Sequence, residues 1–380
     1  MASRDFLQKL PSQQLTQSRG FWSMVHLDPI LLVLLIGLVG FGLVILYSGG
    51  DGRIELVKGQ GVRIALAFLV MVVFAQLDPA VYRRWAPWLY LVGMAGLVAV
   101  LLTGVGAKGA QRWLALPGLP RFQPSELMKL VVPMMAAWYL SRHFLPPRLS
   151  RVALALVLVF IPMGLIVKQP DLGTSLLVVA SGVFVVFFAG ISWRVLLAFG
   201  GLVSVAVPLM WVFVMREYQK QRVLTLLDPE SDPLGAGWNI IQSKTAIGSG
   251  GWSGKGWMQG TQSHLEFLPE SHTDFIVAVL AEEFGFVGVL SLMGLYLLII
   301  LRCLYIAVNA QDSFSRLLAG ALSMTFFIYV FVNVGMVSGL LPVVGVPLPL
   351  ISYGGTSIVT LMAAFGILMS IHTHRRMITS

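Results

Sequence analysis

The sequence predicts an all-α, polytopic integral membrane protein, and three observations lead to this fold class. Hydrophobic residues make up 57% of the 380 residues and charged residues only 11%, whereas soluble domains carry about 25% charged residues. The apolar residues form runs of about 17 or more, long enough to cross a bilayer of roughly 30 Å as helices. A β-barrel would instead show alternating segments of about 10 residues, and the sequence contains none.

The apolar runs predict about ten transmembrane helices in a single membrane domain over residues 1–380. The predicted spans are 29–47, 60–77, 86–104, 125–141, 151–168, 172–191, 195–214, 274–301, 315–337 and 350–371. Residues 1–27 are mostly polar and precede an uncharged span without a small-residue cleavage site, so we expect a cytoplasmic tail before a signal anchor. Cys303 is the only cysteine, which excludes an internal disulfide and a cysteine-based metal cluster.

The distribution of charge predicts the direction of the spans. With the N-terminus inside, the cytoplasmic segments hold 13 basic and 4 acidic residues, a difference of +9, which is the whole formal net charge of the chain. Such an excess on the cytoplasmic side is what the positive-inside rule expects. Both termini are therefore expected in the cytoplasm, and the basic composition requires no nucleic-acid partner.

The outward connections are predicted to differ in structure. The longest, 215–271, lies between spans seven and eight, and loops of this length are usually functional or disordered. Apolar spacing over 238–247 predicts a helix along the membrane surface. The glycine-rich stretch 248–256 fails both nucleotide-binding patterns, which favours a flexible turn. The apolar, Gly- and Pro-rich stretch 338–352 predicts a re-entrant segment buried in protein, because backbone facing lipid is penalised.

Three acidic residues are predicted at the outward N-termini of even-numbered spans: Glu126, Asp171 and Asp274. Helix capping would explain any one of them, since an acid there contributes about 0.3–1 kcal/mol. Three on the same membrane face favour convergence on one outward cavity. Asp274 adjoins the long loop and is the best placed to meet a substrate, whereas Glu126 and Lys129 share a helical face and predict an ion pair.

Other ionisable residues of span eight leave two interpretations open. Glu282 and Glu283 lie about two turns deeper than Asp274, where unpaired carboxylates are costly. Pairing inside the bundle and a functional role both remain possible for them. His272 could be a metal ligand or a general base, although a histidine in a capping loop is commoner.

A carboxylate at an outward cavity with basic residues nearby suits a lipid-linked phosphate substrate. The acid would take a proton from an attacking hydroxyl, and the bases would hold a pyrophosphate leaving group. The candidate bases are Arg112, Arg121, Lys129, Lys244 and Lys255. A transporter would use the same ingredients, so this argument alone leaves both classes open.

Four motifs, in order along the chain, resemble those of the SEDS family (shape, elongation, division and sporulation), the RodA, FtsW and SpoVE proteins. They are Gln123-Pro-Ser-Glu126, Gln169-Pro-Asp-Leu-Gly-Thr174, Leu268-Pro-Glu-Ser-His-Thr-Asp-Phe275, and 333–357 with its Ser352-Tyr-Gly-Gly-Thr-Ser357. The resemblance covers essentially the whole membrane region. Within the family, 226–235 and 260–267 are most similar to the elongation branch of proteobacteria.

The resemblance implies a peptidoglycan glycosyltransferase that polymerises lipid II for cell elongation and rod shape. Such an enzyme works in the inner membrane, with its active site facing the periplasm. Its implied partners are a class B penicillin-binding protein as transpeptidase and the scaffold proteins of the elongation complex. A divalent cation, Mg²⁺ or Mn²⁺, at the pyrophosphate is compatible with this chemistry, but no sequence feature requires it, and no other cofactor is implied.

Carried over to this sequence, the resemblance makes Asp274 the general base. It would activate the 4-hydroxyl of the acceptor sugar, which displaces undecaprenyl pyrophosphate from the donor with inversion. Glu126, Lys129 and Asp171 match other functionally important polar positions, and Arg112 with Trp113 matches an outer-loop pair near the cavity.

Two alternatives to an enzyme are kept. A flippase for lipid II would need alternating access, which inverted internal repeats would support, and we see no such repeat. A scaffold that only activates its penicillin-binding partner is the other.

Overall fold

The computed structural model describes residues 22, 25–107, 110–114, 122–191, 193–213, 215, 217–231, 236–261 and 272–374. Twelve α-helices are described whole: α1 (Pro29–Gly49), α2 (Ile54–Gln76), α3 (Pro79–Thr103), α4 (Pro124–Ser141), α5 (Leu149–Lys168), α6 (Leu172–Phe188), α7 (Trp193–Phe213), α8 (Glu217–Leu227), α9 (Ala236–Gly250), α10 (Ile276–Val308), α11 (Ser313–Val337) and α12 (Thr356–Thr373). A short antiparallel hairpin joins α3 to α4 through β1 (Val105–Ala107) and β2 (Ala110–Trp113).

Ten of these helices, α1 to α7 and α10 to α12, overlap the ten predicted spans. Seven of them are long and apolar enough to cross a membrane by length and composition: α1, α2, α3, α5, α10, α11 and α12. The prediction of an all-α, polytopic membrane protein is therefore confirmed.

The helix boundaries differ from the predicted ones where charged residues form the ends of helices. Helix α3 begins at Pro79, because the Asp78 side chain accepts a hydrogen bond from the backbone N–H of Ala80 at 2.7 Å and Pro occupies the first turn. Helix α10 continues past the predicted residue 301, where Arg302 lies 2.8 Å from the buried carboxylate of Asp28. A hydropathy profile places the end of a predicted span at such charged residues. In the structure the charge of Arg302 is paired, so the helix continues past it.

Helices α11 and α12 form the centre of the bundle. Within their most apolar windows, 72% and 67% of the residues are buried, against 39% or less in the other five candidate spans. Helix α12 packs along α2, and α11 packs against α10, α6 and α4. Polar residues on α11 are therefore surrounded by protein and can bind groups from several neighbouring helices.

The second half of the segment between α11 and α12 is largely buried in protein, as predicted for 338–352, whereas Leu340 in its first half is 76% exposed. The segment contains no helix, and Val346, Leu348, Leu350, Ile351 and Ser352 are each at most 3% exposed. Helix α1 passes so close that a Cβ at its Gly42 would lie 3.1 Å from the Cα of Ile351. We call residues 339–355 the Pro-rich segment.

The long connection between α7 and α10 is partly helical. Helix α9 confirms the helix predicted over 238–247, but it packs against α10 and α11. Its Ile240 and Ala246 are buried, and the Ser243 hydroxyl donates to the Val337 carbonyl at 2.9 Å. Residues 262–271, which complete this connection, lie outside the described residues.

The glycine-rich turn after α9 is bound into α10, and this revises the prediction of a flexible turn. Helix α10 contains a non-helical residue, Gly285, with φ 64° and ψ −161°. The N–H groups of Lys255 and Gly256 donate to the carbonyls of Glu282 and Glu283, both at 3.0 Å. In return, Phe286 N–H donates to the Gly251 carbonyl at 2.9 Å, and Val287 N–H to that of Trp252 at 3.2 Å.

The turn thus supplies partners for backbone groups that the break leaves without helical ones. Glycine is required at the contact, because a Cβ at Gly254 would lie 2.1 Å from the Glu283 carbonyl oxygen.

Candidate active site

Asp274 lies just before α10, the helix that carries the break at Gly285. The N-cap position of α10 belongs to Phe275, so Asp274 stands one residue before the cap. The Asp274 carbonyl accepts a hydrogen bond from the Asn333 amide nitrogen at 3.0 Å. One carboxylate oxygen, Oδ2, lies 3.4 Å from the place that a Cβ of Gly345 would take. The acid is half-buried beside the Pro-rich segment.

The backbone on either side of Asp274 is fixed to the Pro-rich segment by hydrogen bonds. The Ser352 hydroxyl donates to the Thr273 carbonyl at 2.5 Å, and the Tyr353 N–H donates to the His272 carbonyl at 2.9 Å. The second amide hydrogen of Asn333 binds the Val346 carbonyl at 2.8 Å. The backbone of Asp274 is therefore held in place beside the Pro-rich segment.

Glu126 and Lys129 form the predicted ion pair, with Nζ of Lys129 2.5 Å from Oε1 of Glu126. Both side chains are buried. The Lys129 ammonium also donates to the Tyr329 hydroxyl on α11, and the Thr360 hydroxyl on α12 lies 3.2 Å from Oε2 of Glu126. The pair thus joins α4, α11 and α12, so its burial is compensated by several polar contacts.

Asp171 is the N-cap of α6, and its Oδ1 accepts the Thr174 N–H at 3.2 Å. Its other oxygen accepts a hydrogen bond from Gln123 at 3.0 Å. The Arg112 guanidinium, on β2, lies 4.0 Å from the same carboxylate and also donates to the Pro170 carbonyl. Trp113 is the next residue on this strand. Capping and pairing therefore both apply to Asp171.

Helix α11 brings these groups together. Tyr329 binds Lys129, and Asn333 binds the backbone of Asp274. Residues four apart in a helix lie on one face, one turn from each other. The Glu126–Lys129 pair and the backbone of Asp274 therefore meet the same face of α11 about one turn apart, while the convergence of the three acids on one outward cavity stays a prediction.

The predicted lysines of the long connection are separated by the structure. Lys255 lies 2.7 Å from Oε1 of the fully buried Glu282, and Thr261 contacts the same oxygen. Glu283 accepts a hydrogen bond from the Ser48 hydroxyl of α1. Pairing inside the bundle is thus found for Glu282, and Glu283 is hydrogen-bonded to α1.

The other predicted bases take different positions. Lys244 is exposed on α9 and lies against Gly339, where a Cβ would be 2.2 Å from its Cε. Arg121 falls outside the described residues.

Four residues of this region were not expected from the sequence: Tyr329, Asn333, Thr360 and Arg63. The first three are single polar residues in apolar helices, a signal that sequence alone does not separate from tolerated core polarity. Arg63 lies within α2, and its guanidinium carbon is 4.3 Å from the ring centroid of Tyr353 in the Pro-rich segment.

The comparisons with known proteins agree with this architecture. The sequence model of the FtsW/RodA/SpoVE family, described as a cell cycle protein, matches residues 26–377. The chain belongs to this family. The resemblance to the SEDS family that the four motifs indicated is thereby confirmed.

Named relatives of this family member match nearly the whole chain. The peptidoglycan glycosyltransferase MrdB of Escherichia coli K12 is 55% identical over 359 residues, which are 94% of this chain and 97% of that protein. The probable peptidoglycan glycosyltransferase FtsW of Trichlorobacter lovleyi is 38% identical, covering 92% of this chain and 93% of that protein.

Solved structures share the fold of the family member. The crystal structure of the rod shape determining protein RodA from Thermus thermophilus has a TM-score of 0.68 at 30% identity, over 91% of this chain and 96% of that one. A chain in a structure of a peptidoglycan synthase complex, described as coordinating polymerization and crosslinking, has a TM-score of 0.80 at 33% identity, over 91% and 97% of the two chains.

Proposed function

We propose that this chain polymerises lipid II into glycan strands for cell elongation and rod shape, with Asp274 as the general base. It is a peptidoglycan glycosyltransferase, as supported by its family and by 55% identity to MrdB over 94% of the chain. The role of Asp274 is supported by how it is held. Asn333 and Ser352 bind the backbone of 273–274, and the half-buried acid has its carboxylate next to Gly345.

The reaction is a single displacement at the anomeric carbon of the donor sugar. The Asp274 carboxylate accepts the proton of the acceptor 4-hydroxyl, and that oxygen forms the new glycosidic bond. The bond from the anomeric carbon to the pyrophosphate oxygen breaks, and undecaprenyl pyrophosphate leaves with the electron pair. One such step inverts the anomeric centre. The leaving group is already stable, so the paired carboxylates of inverting hydrolases are not needed.

Different basic residues serve this reaction in different ways. Lys129 and Arg112 act as supporting residues through Glu126 and Asp171. Lys244 has no carboxylate within salt-bridge distance among the described residues, and it lies against the Pro-rich segment. We therefore assign Lys244, in preference to Lys255, to the pyrophosphate.

The side chains do not fit a metal site built by the protein alone. Within the described part of the chain, no three His, Cys, Asp or Glu side chains are grouped so that they could hold an ion. Mg²⁺ is typically bound through one or two carboxylates and substrate phosphates. A Mg²⁺ or Mn²⁺ ion would therefore need pyrophosphate oxygens for most of its ligands, and the displacement described above is complete without it.

The proposal extends to location and partners. The charge distribution supports an inner-membrane protein with both termini in the cytoplasm and Asp274 facing the periplasm. A class B penicillin-binding protein is the proposed transpeptidase partner, supported by the likeness to a chain of a peptidoglycan synthase complex. The scaffold proteins of the elongation complex remain part of the same proposal. The flippase alternative has no such support, since the named relatives are glycosyltransferases.

The deciding experiment compares Asp274→Asn with wild type in polymerisation of labelled lipid II by the purified protein and its partner. Loss of the base should lower the rate about 10²–10⁴-fold, and the backbone bond from Asn333 is retained in this variant. Asp228→Asn makes the same chemical change at an exposed acid of the long connection and should leave the rate unchanged.

Glycan chains formed by Asp274→Asn at the wild-type rate would exclude Asp274 as the base. Wild-type protein that makes no glycan but scrambles lipid II across vesicles would instead support the flippase.

A further inference from the structure

We infer that Arg63 binds the pyrophosphate of the lipid-linked substrate, an inference that rests on the function proposed above. Arg63 is half-buried in α2, and its guanidinium carbon lies 4.3 Å from the ring centroid of Tyr353. Among the described residues it has neither a hydrogen-bond acceptor nor a carboxylate within salt-bridge distance. A half-buried cation without an anionic partner is suited to bind an anionic ligand.

Three other candidate bases are paired with carboxylates. Lys129 lies 2.5 Å from Glu126, Lys255 lies 2.7 Å from Glu282, and Arg112 lies 4.0 Å from Asp171. Their positive charge is largely compensated by these carboxylates. Arg63 and Lys244 have no such carboxylate within salt-bridge distance among the described residues.

Arg63 is connected to the catalytic backbone through the Pro-rich segment. Tyr353, under the guanidinium, donates its N–H to the carbonyl of His272 at 2.9 Å, two residues before Asp274. The rings of His272 and Tyr353 have centroids 6.0 Å apart. An anion bound by Arg63 would therefore rest on the same segment that holds the general base.

Gln60, three residues before Arg63 and on the same helical face, fixes α2 to this segment. Its amide nitrogen donates to the Ser352 carbonyl at 3.1 Å, and its oxygen accepts the Gly354 N–H at 3.4 Å. Gln60 is only 1% exposed. The position of Arg63 beside the Pro-rich segment is thus set by buried hydrogen bonds of its own helix.

The chemistry of the guanidinium matches a pyrophosphate. Stacking on Tyr353 uses the flat face of the group, whereas its N–H donors point outward in the plane. Gly355, which adjoins Arg63 with a would-be Cβ 3.9 Å from Nε, carries no side chain to cover that edge. A planar fork of donors binds phosphate oxygens in pairs, and its stabilisation increases as charge develops on the leaving group.

The test uses full-length protein and two readouts, polymerisation of lipid II and thermal stabilisation by inorganic pyrophosphate. Arg63→Gln should weaken the apparent affinity for pyrophosphate and raise the KM for lipid II, each by about ten-fold. Arg63→Lys keeps the charge but loses the fork, so it should fall between Arg63→Gln and wild type. If Arg63→Gln does not fold, the comparison of Arg63→Lys with wild type still tests the inference.

The matched control is Arg53→Gln, which removes an exposed arginine next to the start of the same helix, where it lies 3.9 Å from Asp51. It should match wild type in both readouts. Equal pyrophosphate affinity in Arg63→Gln, Arg63→Lys and Arg53→Gln would overturn the inference. A lower melting temperature of Arg63→Gln with unchanged pyrophosphate affinity would overturn it as well. Absence of polymerisation by wild-type protein would instead refute the function itself.

Discussion

Two residues of α11, Tyr329 and Asn333, organise the polar groups of the site. Tyr329 accepts a hydrogen bond from Lys129, and Asn333 donates to the carbonyls of Asp274 and Val346. Both residues are deeply buried, so each polar contact has a large effect on stability and geometry. Single substitutions should therefore distinguish the contribution of the Glu126–Lys129 ion pair from that of the hydrogen bonds that hold Asp274.

Removal of Lys129 should be more harmful to the fold than removal of the whole ion pair. Lys129→Met leaves the Glu126 carboxylate buried without its cation, which typically costs about 3–5 kcal/mol. The double variant Glu126→Gln, Lys129→Met removes both charges and should recover much of the loss. Melting temperatures of the purified variants test this. A double variant less stable than Lys129→Met would contradict the explanation by uncompensated charge.

Asn333→Ala should lower kcat while the KM for lipid II changes little, because Asn333 positions Asp274 without touching the substrate. The change removes the donor from the buried carbonyl of Val346, at about 1–3 kcal/mol, and from the partly buried carbonyl of Asp274. A lower melting temperature is therefore also expected. Asn309→Ala, which removes an exposed amide that binds only the Tyr305 carbonyl, is the control. A kcat equal to that of wild type would show that Asp274 does not need this support.

At the scale of elements, the break in α10 and the turn after α9 form one unit. The turn and the helix exchange four backbone hydrogen bonds around Gly285. The Lys255–Glu282 pair adds a buried ionic contact at the same place. A long apolar helix with an irregular backbone is tolerated where other protein groups bind its free backbone atoms.

Gly285→Ala should destabilise the protein by more than about 1 kcal/mol, since Gly285 has φ 64° and its Cβ would lie 2.3 Å from the Gly254 nitrogen. Gly248→Ala, on α9 with nothing within 4 Å of the new Cβ, should be neutral or slightly stabilising. Thermal unfolding of both variants checks the difference. Equal melting temperatures would mean that α10 can close its break into a regular helix.

At the scale of the whole molecule, charge distribution predicts that both termini face the cytoplasm. Labelling with a membrane-impermeant maleimide tests this, because Cys303→Ser yields a protein without cysteine. In that background, Asp228→Cys on the long connection should be labelled in intact spheroplasts. Asp312→Cys, between α10 and α11, should be labelled only after permeabilisation. Both positions are exposed, and the reverse pattern would invert the topology.

The sequence was sufficient for features that depend on local pattern. Apolar runs predicted the ten helices that overlap the spans, and i,i+3 spacing predicted the Glu126–Lys129 pair. Apolar Gly- and Pro-rich composition predicted a buried segment over 338–352, of which the second half is buried. Contacts between distant residues could not be predicted in this way. The stacking of Arg63 on Tyr353 and the pairing of Lys255 with Glu282 depend on which helices become neighbours, which a single sequence does not specify.

The shared hydrogen bonds at the break have a mechanical consequence. In a continuous helix, backbone hydrogen bonds join each turn to the next. At the break in α10, the turn that follows α9 supplies these bonds, so it connects the two halves of the helix. A displacement of the connection between α7 and α10 would therefore act directly on the half of α10 that begins beside Asp274. A partner protein that binds this connection would thereby change the position of the Asp274 carboxylate without contacting it.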